Sequence, residues 1–125
     1  MRHADLGTLT VLLLTACGGS PSGPSTRPAE GPTITIISAG VSPTQLTVSA
    51  GTRVLFVNND GRAHNMTSDP HPDHNDCPEL NTVGVIQPGQ SRESGNLVSV
   101  RTCGFHDHDD PLPAGNRWTG QITIR

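Results

Sequence analysis

The chain has 125 residues and a formal net charge of -3 at pH 7, and its basic side chains other than histidine are all arginine and form no cluster, which excludes a role built on attraction to nucleic acid or an anionic surface. One tryptophan, two phenylalanines and no tyrosine argue against the stacking platforms that hold single strands or sugars. A chain of this length holds one domain.

The first stretch reads as something other than that domain. Residues 1–16 place Arg2 ahead of a short apolar run centred on Val11-Leu12-Leu13-Leu14. Such a run is too short to span a bilayer as a permanent helix and suits a cleaved export signal. Its ending, Leu14-Thr15-Ala16-Cys17, resembles the lipobox of bacterial lipoproteins, which implies that Cys17 is lipidated and becomes the new N-terminus. Residues 17–32 continue mostly in Gly, Ser, Pro and Thr, which bury too little apolar surface to fold. They read as a flexible tether between a lipid anchor and a folded head. The expected location is the periplasmic side of a bacterial membrane.

Residues 33–125 form the head. Thr33 to Ile37 alternates as a half-buried strand, Gln45 to Ser49 repeats the pattern, and Ala50-Gly51-Thr52 turns the chain into a strand over Arg53 to Asn58. Asn59-Asp60-Gly61 is a turn before His64, and Thr67 to Glu79 is a long polar loop rich in proline, aspartate and histidine. Asn81 to Ile86 predicts a strand, Pro88-Gly89 a turn, Asn96 to Cys103 a strand leading into a second tight turn, and Thr119 to Ile124 the strand that closes the sheet. No window holds a helical period. The pattern predicts an all-β, Greek-key β-sandwich with Phe56 and Trp118 in its core, thin enough that a staple would help.

Chemistry concentrates in two loops. Cys103-Gly104-Phe105-His106-Asp107-His108 sets a thiolate and two imidazoles into one predicted turn, and His64 offers a third imidazole from upstream. Soft sulfur beside borderline nitrogen suits copper. The stretch Val54-x-Phe56-x-Asn58-Asn59 followed by His64-Asn65, together with Cys103-x-x-His106 before a closing strand, resembles the cupredoxin family of plastocyanin-like blue copper proteins. The resemblance covers most of residues 33–125. It implies a cupredoxin-like sandwich holding one copper ion, Cu(I) or Cu(II), on His64, Cys103 and His106. It also implies that Asn65 ties the two ligand loops together by hydrogen bonds, and that the protein transfers one electron between periplasmic or membrane redox partners without a substrate of its own. The family's loop continues to an axial methionine, whereas no methionine follows Met66 here, so the axial place falls to His108, to a backbone carbonyl or to nothing. A harder axial donor would lower the potential.

Cys77 opens a second reading. In an exported protein, two cysteines left beside a lipidated one commonly pair, and a Cys77–Cys103 disulfide would remove the thiolate. His64, His71, His74, His106 and His108 would then form an all-nitrogen copper or zinc site with the bridge as staple. Asp107, Asp109 and Asp110 read as solvated turn residues, one of which could orient an imidazole. The leading expectation is therefore a monomeric, lipid-anchored electron carrier and not an enzyme. The alternative is a copper-handling protein, for tolerance or delivery, with extra donors at His71, His74 and Cys77. A dismutase-like activity ranks below both because no substrate pocket is signalled, and a metal-free sandwich stapled by the disulfide completes the set.

Overall fold

The computed structural model describes residues 31–110 and 117–125. The expected export signal, Cys17 and nearly all of the expected tether lie outside the described residues, as do residues 111–116.

Two mixed β-sheets pack face to face. In the first, β1 (Thr33–Ile37) runs antiparallel to β2 (Gly40–Ser42) and parallel to β4 (Leu55–Asn58), and β7 (Ser91–Glu93) flanks β4 on its far side. In the second, the order is β3 (Gln45–Val48), β9 (Thr119–Ile124), β8 (Arg101–Asp107), β5 (His64–Ser68) and β6 (Gly84–Ile86). The alternation in Thr33-Ile34-Thr35-Ile36 explains why β1 sits where it does: Ile34 and Ile36 are fully buried while Thr33 and Thr35 stay half-exposed. Ile34, Ile36 and Phe56 from one sheet meet Met66, Phe105, Ile122 and Ile124 from the other. Phe56 and Phe105 close the middle of the sandwich edge to face, with ring centroids 5.4 Å apart. Trp118 caps one end of the core and donates its indole N–H to the Ile37 carbonyl at 2.8 Å.

Two predicted elements are corrected. The strand expected over Asn81 to Ile86 is a 3-10 turn, Pro78–Thr82, followed by a three-residue strand. Pro78 starts the turn because it has no N–H to give a ladder, and Leu80 anchors it in the core. The strand expected over Asn96 to Cys103 instead starts at Arg101 and runs on to Asp107, held by an unbroken register from Arg101 opposite Ile124 to His106 opposite Thr119. Cys103 and His106 are thus strand residues, and the tight turn begins later.

Candidate metal centre

That extension decides the geometry of the site. Successive side chains of a strand point to opposite faces, so positions three apart look away from each other. On β8, Cys103, Phe105 and Asp107 turn to the buried side, whereas His106 emerges on the outer face of the sheet. On β5, His64, Met66 and Ser68 are buried, and Thr67 lies outside opposite His106.

The expected trio of His64, Cys103 and His106 therefore does not converge on one ion. Cys103 is joined to Cys77 in a disulfide with its Cα atoms 5.7 Å apart, and both residues are fully buried. Cys103 as a copper thiolate is corrected accordingly: its sulfur is already covalently satisfied. Cys77 reaches it two residues beyond the Ser68–Phe105 pair that ends the β5–β8 ladder. Cys103 also stands four positions from Asp107, roughly 13 Å along the strand at its usual rise, and it is Asp107 that touches His64.

His64 is enclosed by carboxylates. Its Nδ1 lies 2.8 Å from Asp107 Oδ2 and its Nε2 lies 2.9 Å from Asp60 Oδ2, so both ring nitrogens are engaged by carboxylates and neither faces the other histidines. His64 as a ligand is corrected for that reason. Asp107 uses its second oxygen to accept the Asn65 and Asp109 backbone N–H groups at 2.9 and 3.1 Å. Arg62 reaches Asp60 at 3.6 Å and stacks its guanidinium 3.9 Å above the Trp118 ring, whose centroid is 5.0 Å from that of His64. The hydrogen bond from His64 pulls the Asp60 carboxyl below its ordinary range against the effect of burial, helped by the Gly61 N–H and by the charges of His64 and Arg62. Asn65 links β5 to the segment after β8, because its carbonyl accepts the His108 N–H at 2.7 Å.

The remaining histidines come together on the outer face. His71, His74, His106 and His108 offer ring nitrogens that all lie within 4.8 Å of one another. A bond of about 2.0–2.1 Å from an imidazole to a zinc-sized ion places opposed donors about 4 Å apart, so small rotations close the set around one ion. One strand and a loop supply it: β8 and its continuation carry His106 and His108, while the loop after β5, which carries His71 and His74, folds back over β8. That loop is pinned by the Asp69 N–H donating to the Gly104 carbonyl at 3.0 Å and the His74 N–H donating to the Pro70 carbonyl at 2.7 Å.

Two of the four rings are already aimed. His74 Nδ1–H donates to the Ser68 carbonyl at 2.8 Å, which leaves Nε2 as the bare nitrogen. That Nε2 is buried and has no hydrogen-bond partner among the described residues. A buried, unpartnered acceptor is costly and calls for an explanation; the three neighbouring imidazoles supply one. His74 holds a left-handed backbone, φ 50, while its carbonyl accepts the Asn81 amide at 2.8 Å, so a conformation rare outside glycine is kept with the ring in place. His106 Nδ1 is hydrogen-bonded to Asp69 Oδ1, which again leaves Nε2 toward the cluster, 3.4 Å from Thr67 Oγ1. His71 and His108 are exposed and make no side-chain hydrogen bond with the described residues.

Sequence reasoning missed the roles of Asp60, Asp69 and Ser68, and it offered Asp107 only as one of three aspartates able to orient an imidazole. The usable signal was the alternation Cys103, Phe105, Asp107, which continues the inward face of a strand.

The architecture matches solved structures over most of their length. Amicyanin from Paracoccus versutus superposes with a TM-score of 0.58 at 15% identity, covering 78% of this chain and 84% of that one. Plastocyanin from Dryopteris crassirhizoma gives 0.54 at 21% identity, covering 74% and 99%. A purple cupredoxin from Nitrosopumilus maritimus gives 0.51 at 18% identity, covering 75% and 99%. The fold is cupredoxin-like. At such identities the likeness is one of fold, and no protein-family model or curated protein sequence matches the chain. Within the cupredoxin fold, the buried pole around His64 here holds an acid–histidine–acid array, and the convergent imidazoles stand on the sheet's outer face.

Proposed function

We propose that this protein binds one copper ion on His71, His74, His106 and His108 and serves in copper handling, for tolerance or delivery, and not as an enzyme. The observation that carries the reading is the buried, unpartnered Nε2 of His74 among three further imidazoles. The donor set fits copper without a thiolate: imidazole suits copper, zinc and nickel, and among divalent ions of this series copper binds most tightly. It does not fit a blue centre, because both cysteine sulfurs among the described residues are joined in the disulfide and neither is a thiolate. Bound there, a copper ion would supply a redox-active, exchangeable Lewis acid. The chain's own part is to fix His74 and His106 by their Nδ1 atoms and to leave His71 and His108 exposed, where an incoming donor can replace them.

The cupredoxin-like fold favours a second reading, one-electron transfer from the same four-imidazole centre; one structural neighbour is an amicyanin variant in its Cu(I) form. In either reading the head is carried on a lipid tether at the periplasmic face of a bacterial membrane, where membrane or periplasmic proteins receive the metal or the electron.

Copper titration followed by calorimetry and electron paramagnetic resonance tests the proposal. One equivalent of Cu(II) should bind with nitrogen hyperfine structure and no intense thiolate-to-copper band. At a free concentration 100 times Kd it should stabilise the fold by about 2.7 kcal/mol, a Tm rise of about 10–20 °C. His74→Ala should abolish both effects. An intense visible band lost in Cys103→Ala, or no binding at all, sinks the reading. Reversible oxidation and reduction without loss of the ion would favour electron transfer over handling.

A further inference from the structure

Resting on the four-imidazole reading above, the geometry points to Asp69 as the residue that positions His106, acting through a slot that only glycine at position 104 leaves open. Asp69 begins the loop that bears His71 and His74, and its carboxylate crosses back over β8 to bond His106 Nδ1. To do so it must lie against the strand two residues before His106. There, a Cβ on Gly104 would collide with Asp69 Oδ2 and come within 2.8 Å of Asp69 Cγ. The Gly104 carbonyl meanwhile accepts the Asp69 N–H at 3.0 Å, which fixes the loop's height above the strand. Gly104 has an ordinary strand backbone with no positive φ, so turn geometry does not account for glycine here. Room for the carboxylate does.

The consequence is a defined tautomer. A carboxylate beside Nδ1 keeps the proton there, turns the Nε2 lone pair toward His74 and His108, and raises the donor strength of the ring. His74 gets the same treatment from the Ser68 carbonyl. Asp69 therefore does for His106 from the loop what the backbone does for His74, and it couples the loop-borne ligands to the strand-borne ones.

Gly104→Ala leaves every ligand and the carboxylate in the sequence while displacing the carboxylate, so it separates positioning from charge. The experiment compares the full chain with Asp69→Ala, Gly104→Ala and Asp69→Asn. Cu(II) affinity is measured by calorimetry, and the His106 tautomer by long-range 15N–1H correlation in metal-free protein. Expected are a 10–100-fold loss of affinity in Asp69→Ala and in Gly104→Ala, and partial recovery in Asp69→Asn, whose amide oxygen accepts the same hydrogen bond. The metal-free spectrum should shift from a single Nδ1–H form to a mixture, with the metal-free Tm of Asp69→Ala little changed. If the parent chain binds copper and both variants bind equally well with an unaltered His106 tautomer, the positioning role is overturned and the metal site stands. If the parent binds none, both fall.

Discussion

Reducing the Cys77–Cys103 bridge should separate a stapled sandwich from one that carries a free thiolate. The bridge closes a span of 26 residues. In the chain-entropy treatment, a loop of that length removes about 12 cal/mol/K from the unfolded ensemble, or about 3.5 kcal/mol at 25 °C. Reduction retains both sulfur atoms in the core, so little else changes. With a urea m-value near 1–1.5 kcal/mol/M for a domain this size, the midpoint should fall by about 2.3–3.5 M. The assay is urea unfolding at pH 7 with and without an excess of a phosphine reductant, with the reduced state verified by alkylation and mass. The denatured, unreduced protein should show no reactive thiol from Cys77 or Cys103. Two reactive thiols, or a loss of stability below about 1 kcal/mol on reduction, would refute the reasoning and return Cys103 to the list of possible ligands.

Four further outcomes follow from the site. Alanine at His74 or His106 should weaken Cu(II) by more than the roughly 10–100-fold that a supporting contact carries, and alanine at the unanchored His71 or His108 by less than at the anchored pair, as read by competition with a chelator. His64→Ala should leave copper affinity intact yet cost about 1–3 kcal/mol in thermal or urea unfolding, because the buried Asp107 loses one of its hydrogen bonds. His74→Gly should abolish binding with metal-free stability within about 1 kcal/mol of the parent, since relief of the left-handed backbone offsets the lost hydrogen bond to Ser68. Asp60 has a carboxyl pKa lowered in the folded state, so its contribution is present above the unfolded value of about 4 and fades as pH falls through the lower folded value; Asp60→Asn should flatten the acid limb of a stability–pH curve in that window, and an acid limb identical to the parent's would refute the assignment.

The first and last strands of the chain were legible because their signal is local. Thr33–Ile37 and Thr119–Ile124 alternate cleanly, and the structure ends them at the expected residues. The short strands Gly40–Ser42 and Ser91–Glu93 carry no such pattern and exist because β1 and β4 present open edges to them. The metal-ligand spacing of Cys103-x-x-His106 was ambiguous for a physical reason: in a turn those side chains converge, in a strand they diverge. What selects the strand is pairing with β9, a partner remote in sequence. Asp60 read as part of a turn, and Asp107 as one of three turn aspartates able to orient an imidazole, because nothing local announces the buried His64 ring between these two. The histidine-rich character of two loops was visible in the residues, but the choice of four histidines over five depended on which face of β5 each side chain takes.

Strand β8 explains why structure and metal chemistry can be altered independently. Its inward positions build the fold: Cys103 takes the bridge, Phe105 meets Phe56, and Asp107 holds His64. Its outward positions build the site, with Gly104 giving room to Asp69 and His106 presenting Nε2. The two sets share a backbone and no side-chain contact between His64 and the cluster is present among the described residues. An ion on the outer face can then arrive or depart while the sandwich stays closed behind it. Centres that exchange electrons at long range gain from burial and rigidity, whereas transfer of the ion itself requires ligands that can let go. With two imidazoles anchored and two exposed, this arrangement meets the second requirement better than the first.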